Sequence, residues 1–202
     1  MEIAIVVFDG WDELDAIGPY EVFSYAKRVG ADVEVSLCTL TEADRVKGAN
    51  GLIIEPQAVL SDLNPDLVVV PGGGWADQSE TGARAEIERG DLPEKLQELH
   101  DNGTTVASVC TGGMILAHSG ILDGRPAVTH TSALGDLRDS EAKVVEARVV
   151  DDGDIITAGG ITSGIDLAFR LVERTFSAEI TESVSEIMEY EPSDHIYDGA
   201  SH

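Results

Sequence analysis

Basic residues are scarce in this chain of 202 residues: four lysines and nine arginines stand against 38 aspartates and glutamates, for a net charge of −25. A field of that sign repels nucleic acid and anionic membranes, so neither is an expected partner. Cysteine is nearly absent as well. Cys38 and Cys110 are the only two, far apart and in strand-like contexts, which leaves neither a disulfide framework nor the paired spacing of a zinc site. No metal and no cofactor is expected. No apolar run is long enough to span a bilayer, and no basic segment leads into a short apolar one of the kind that directs export. A reducing cytoplasm is therefore the expected setting. Linkers, internal repeats and low-complexity tracts are missing too. With 43% hydrophobic residues, residues 1–190 are expected to form one domain with a full core, and 191–202 an irregular tail. The acidic residues are spread along the whole chain, which suits a salt-adapted protein whose self-repulsion is screened at high ionic strength.

The most informative stretch runs from Thr104 to Gly113, Thr-Thr-Val-Ala-Ser-Val-Cys-Thr-Gly-Gly, followed at once by Met-Ile-Leu-Ala. Small, apolar and β-branched residues over its first part predict a strand buried on both faces, and the residues after Gly113 predict a helix. Cys110 then stands at the strand-to-helix turn. Ser108 and Gly112, two residues to either side, are small enough to permit the tight turn that lifts a nucleophile out of a sheet. A thiol placed there meets the positive end of the helix, which favours thiolate. The plain alternative is an inert cysteine at a strand end.

Elsewhere strands and helices alternate. Glu2–Phe8 reads as a strand ending at the Asp9-Gly10 turn. Pro19 suits the first turn of a helix running to about Arg28, which leaves Asp15 in the loop above a strand end. Asp32–Leu40 alternates as a strand, and Arg45–Pro56 suits a short hairpin. Asp66–Val70 is a second fully buried strand that runs into Pro71-Gly-Gly-Gly74, where glycines allow backbone amides to approach a ligand. Ala83–Asn102 is helical with a break near Gly90. Ala127–His130 reads as a short strand. Lys143–Val150 and Asp154–Thr157 form a hairpin about Asp151-Asp-Gly153. Two helices are predicted at Thr162–Phe176 and Ala178–Tyr190, the second carrying Glu182, Glu186 and Glu189 without a basic residue. The expected architecture is α/β: a doubly wound, mostly parallel sheet flanked by helices, with a small β-hairpin and a site at the carboxyl ends of the strands. Asp15, the Gly72–Gly74 turn and Cys110 converge on that edge.

Leu14-Asp-Ala-Ile-Gly-Pro-Tyr-Glu-Val-Phe23, Val69-Val-Pro-Gly-Gly-Gly74, Ser108-Val-Cys-Thr-Gly-Gly113, Leu122-Asp-Gly-Arg125, Thr129-His130 and Ala158-Gly-Gly-Ile-Thr-Ser-Gly-Ile-Asp-Leu167, in that order, resemble the ThiJ/PfpI superfamily. Its fold is flavodoxin-like, that of the class I glutamine amidotransferases. The Asp-x-x-Gly-Pro segment and the Cys-Thr-Gly turn look like the isonitrile hydratase branch. The resemblance implies Cys110 as nucleophile, Asp15 as acid/base partner, and oxyanion donors at the amides of Gly73 and Thr111, with Gly72 beside them. It also implies a small-molecule substrate, no cofactor and a homodimer.

Departures from sister branches narrow the expectation. Thr111 follows the nucleophile where the protease-like branch has His, Asp15 stands where the deglycase branch usually has Glu, and Thr131 follows His130 where many relatives have Trp. No histidine begins the His-x-Glu pair of glutaminases. His130 is a third catalytic candidate, its alternative being a satisfied histidine at a strand end. The expected activity is hydration of an isonitrile to an N-substituted formamide. Glyoxalase or deglycase chemistry on small 2-oxoaldehydes and a non-enzymatic, cysteine-based oxidant sensor are the alternatives.

Overall fold

In the computed structural model of the chain, which describes residues 1–76 and 79–199, buried β-branched runs become strands and the amphipathic stretches between them become helices. β1 (Glu2–Val6) leads through α1 (Glu13–Arg28) to β2 (Glu34–Thr39). Three two-residue strands follow: β3 (Val46–Lys47), β4 (Ile53–Ile54) and β5 (Ala58–Val59). β6 (Leu67–Val70) precedes α2 (Ala83–Arg89) and α3 (Asp91–Asp101), and β7 (Thr105–Val109) precedes α4 (Gly112–His118). The remainder is β8 (Pro126–Ala127), α5 (Leu134–Arg138), β9 (Lys143–Val144), β10 (Val149–Asp151), β11 (Ile155–Ala158), α6 (Ser163–Thr175), α7 (Ala178–Met188) and β12 (Ile196–Asp198).

The main sheet has the order β12-β10-β11-β7-β6-β1-β2-β5. Its pairs are parallel except β10 with β11, which form the predicted hairpin. β3 and β4 make the predicted small antiparallel hairpin. β6 is buried at every residue and β7 at all but its first, as strands covered by helices on both faces must be. Register fixes the site. Val70 lies opposite Ser108 and Ala158 opposite Val109, so Pro71, Cys110 and Gly159 leave the sheet side by side. The chain runs from β1 to β2 on one side, while β6 lies on the other. The loops after β1 and β6 therefore part at a topological switch point, where open α/β sheets bind ligands.

Four details differ from the sequence reading. α1 begins at Glu13, six residues before Pro19, because Asp12 caps it by accepting the Leu14 N–H at 3.3 Å and acidic Glu13 and Asp15 fill its first turn. Asp15 is thus helical, and Pro19 sits inside the helix, packed against Gly164 of α6. The Lys143–Val150 run is split, since β9 pairs with β8 while β10 joins the main sheet. The strand at Ala127–His130 is only Pro126–Ala127, after which His130 caps a 3-10 turn over Thr131–Ala133. Finally, the tail supplies β12, which lies parallel to β10. Asp166 secures that segment: it is buried and accepts from the Tyr190 hydroxyl at 3.0 Å, the Ser193 N–H at 2.8 Å and the Arg148 guanidinium at 2.5 Å. Residues 200–202 lie outside the described residues.

Candidate active site

Cys110 has φ +57°, in the left-handed region that non-glycine residues rarely adopt. Such a backbone costs on the order of 1–3 kcal/mol and persists only where its surroundings hold it. Here four contacts do so. The Cys110 N–H donates to the Ala158 carbonyl at 3.1 Å, and the Cys110 carbonyl accepts from the Thr129 hydroxyl at 2.8 Å and from the amides of His130 and Gly113, each at 3.4 Å. The predicted elbow is therefore formed and clamped by the strands and loops on either side. Gly72 allows the neighbouring turn to come close. A Cβ at that position would lie 2.3 Å from the Thr111 hydroxyl and 2.5 Å from the Thr111 nitrogen.

Asp15 is fully buried, and its Oδ2 accepts the Gly72 N–H at 2.9 Å. Its Oδ1 has no hydrogen-bond partner among the described residues. Burial raises its pKa well above the carboxylate range and the nearby charge of Asp12 adds to this, while the Gly72 amide and the Cys110 thiol pull it back. Cys110, 6% exposed, is likewise pushed far above an ordinary thiol, first by burial and then by the charge of Asp15. The Thr111 N–H, directed at the sulfur, opposes that rise without cancelling it. Burial and the charge of Asp15 thus work against the thiolate that the helix terminus favours. Two acids in one dry site share their protons, and only one of them ionises readily.

The expected oxyanion donors are already engaged. Gly73 N–H donates to the Thr111 hydroxyl at 2.9 Å, Gly72 N–H to Asp15, and Thr111 N–H to the sulfur. His130 reaches Cys110 through its main chain, while its ring Nδ1 lies 2.8 Å from the Ser132 hydroxyl and accepts the Ser132 N–H at 3.2 Å. Two contributors escaped the sequence reading. Thr129 clamps the elbow, though its place beside His130 in a motif was a usable signal. Asp12 adds negative charge to both acids, and its Asp-Glu-Leu-Asp context marks a helix cap.

Residues 1–174 match the DJ-1/PfpI family. This chain belongs to the DJ-1/PfpI family. Among its relatives, an isonitrile hydratase of Pseudomonas putida is 30% identical over 194 residues, covering 96% of this chain and 80% of that protein. A deglycase of Thermococcus kodakarensis is 27% identical over 165 residues, covering 78% of this chain and 89% of the deglycase. A solved ThiJ/PfpI family protein from Pseudomonas syringae superposes with a TM-score of 0.83 at 26% identity, over 95% of this chain and 76% of its own. The DJ-1/PfpI sheet and its flanking helices are thus those described above. Among the described residues no helix is long and apolar enough to cross a membrane.

Proposed function

We propose that this DJ-1/PfpI protein hydrates isonitriles, with Cys110 as nucleophile and Asp15 as the group that moves the proton. The observation that carries this reading is the pairing of two buried acids, each held protonated first by burial, in a site whose backbone amides are already engaged. Addition to an isonitrile places no negative charge on oxygen, so its first step asks nothing of those amides. It needs a nucleophile and a proton for the same carbon.

The thiol proton passes to the Asp15 carboxylate, sulfur attacks the terminal carbon of R–N≡C, and Asp15 delivers that proton to the carbon. The product is a thioimidate, R–N=CH–S, on Cys110. Asp15, again a carboxylate, takes a proton from water as the water oxygen bonds the same carbon, and that proton goes to nitrogen. Collapse of the adduct breaks the C–S bond, returns the thiol and releases R–NH–CHO. Each proton transfer of this kind is worth about 10²–10⁴ in rate.

Aldehyde chemistry is the competing reading, and it would need the Gly73 or Thr111 amide freed for a developing oxyanion. The proposal includes a homodimer in the cytoplasm. Glu13 accepts from the Asn50 and Leu52 amides at 2.7 and 3.3 Å, which binds the β3–β4 hairpin to the start of α1. Leu14 beside Glu13, and Leu52 and Ile53 on the hairpin, are exposed apolar side chains suited to contact with a second copy. A panel of alkyl and aryl isonitriles and 2-oxoaldehydes, assayed in multimolar salt, tests the activity. N-substituted formamide from at least one isonitrile is expected. Conversion of aldehydes alone would overturn the reading in favour of glyoxalase or deglycase chemistry.

A further inference from the structure

Asp12 is the N-cap of α1, where its side chain accepts the Leu14 N–H at 3.3 Å. Asp15 is the third residue of that helix, the place from which an acidic side chain in a capping box reaches back to the cap residue's own N–H. Here the Asp12 N–H donates instead to the Gly72 carbonyl at 2.9 Å, and the Gly72 N–H donates to Asp15 Oδ2 at 2.9 Å. One glycine of the β6–α2 loop thus stands between the two aspartates and bonds both. The main chain of Asp12 thereby fixes the turn on which Asp15 rests.

The side chain carries a charge that its cap does not need, since Asn or Ser caps a helix about as well as Asp. It is partly buried and takes part in no ion pair among the described residues. The ionisable groups around it are Glu13 beside it, Asp15 one turn on, Cys110 at the elbow and His130 in the loop after β8. Glu13 is bonded onto the β3–β4 hairpin. The charge of Asp12 opposes ionisation of both Asp15 and Cys110.

We propose that Asp12 is a positioning residue for the reaction proposed above: its main chain holds the Gly72 turn against Asp15, and its charge sets the pH range over which Asp15 and Cys110 keep a single proton between them. Without that charge the pair gives up its protons at lower pH.

Iodoacetamide alkylation of Cys110 and formamide formation, each followed against pH at constant multimolar salt, test this role in the parent, Asp12→Asn, Asp12→Ser and Glu21→Gln. Asn and Ser keep an acceptor for the Leu14 N–H, while Glu21, exposed further along α1, controls for net charge. Both Asp12 variants are expected to alkylate about threefold to tenfold faster at a given pH, the worth of a partly buried like charge about one turn away. Their formamide profile is expected to move to lower pH without loss of its maximum, and Glu21→Gln to match the parent in both assays. Three results would overturn the proposal: unchanged alkylation in the folded Asp12 variants, turnover lowered at every pH without displacement of the profile, or an equal displacement in Glu21→Gln. The turnover arm rests on the isonitrile reading and the alkylation arm does not. Absence of formamide from all four proteins would refute that reading alone, and the alkylation rates would still decide the role of Asp12.

Discussion

Asp15→Asn separates chemistry from acidity, because its effects on turnover and on thiol reactivity have opposite signs. Asn keeps an oxygen to accept the Gly72 N–H, now at 2.9 Å from Oδ2, and stays close to the parent's shape. It cannot ionise, so it has no proton to carry to the isonitrile carbon. Loss of general acid–base catalysis predicts a fall in turnover of about 10²–10⁴-fold, or roughly 3–5 kcal/mol on the barrier. The same change removes the charge of Asp15, which after burial is the main influence raising the Cys110 thiol. The thiol becomes more acidic, and alkylation by iodoacetamide at fixed pH speeds up in proportion to the thiolate fraction.

Stability supplies a third sign. The folded pKa of Asp15 lies above its ordinary 3.8, so between those values the folded state holds a proton that the unfolded state has lost. Parent stability therefore falls as pH rises through that window, by about 1.4 kcal/mol per unit at most. The Asn variant does not titrate there and is expected to be more stable than the parent at neutral pH. The assays are formamide formation, mass-spectrometric labelling of Cys110, and thermal melting against pH. Parental turnover in a folded Asp15→Asn would refute the reasoning, as would slower rather than faster alkylation.

Other outcomes follow from neighbouring contacts. Brief alkylation of the folded parent is expected to label Cys110, which keeps some exposure on its turn, before Cys38, which is fully buried within β2 and bonds the Ile5 carbonyl at 3.6 Å; peptide mapping that finds Cys38 first would count against the elbow. Thr129→Val removes the 2.8 Å clamp on the Cys110 carbonyl and is expected to cost about 1–3 kcal/mol in urea unfolding, together with a fall in turnover; a change in neither would show that the clamp is idle. Melting temperature is expected to rise with salt up to the multimolar range, because α7 carries Glu179, Glu182 and Glu186 with no basic residue and the chain totals −25. An unchanged melting temperature would count against the salt-adapted reading.

What was legible in the sequence follows a physical divide. β6, β7 and the Cys110 turn are written locally, in β-branched runs that end in small residues, and they were read with near-correct bounds. The β3–β4 and β10–β11 hairpins were also legible, from turn residues between short strands. Features set by distant partners were not. Pro19 suggests a helix start, but Asp12 is the better cap, and the proline lies within α1 near Gly164 of α6. β12 is short, and its strand character comes from distant partners: pairing with β10 and the 3.1 Å bond from Arg170 to Asp198. Glu189 was placed on the last helix but caps it in the left-handed conformation. The acidity of Cys110 depended on burial, which a turn motif does not disclose. The engagement of the Gly73 amide depended on how the Thr111 side chain lies across two loops.

The central claim is that Cys110 carries the reaction, and the rate of formamide formation by Cys110→Ser against the parent tests it most directly. Serine preserves the shape of the elbow, but its hydroxyl is a far weaker acid than the thiol and Asp15 cannot activate it to the same degree. With both proteins folded and assayed on the same isonitrile in the same salt, the parent is predicted to form formamide and Cys110→Ser to fall to the uncatalysed background. Turnover by Cys110→Ser within tenfold of the parent would contradict the account.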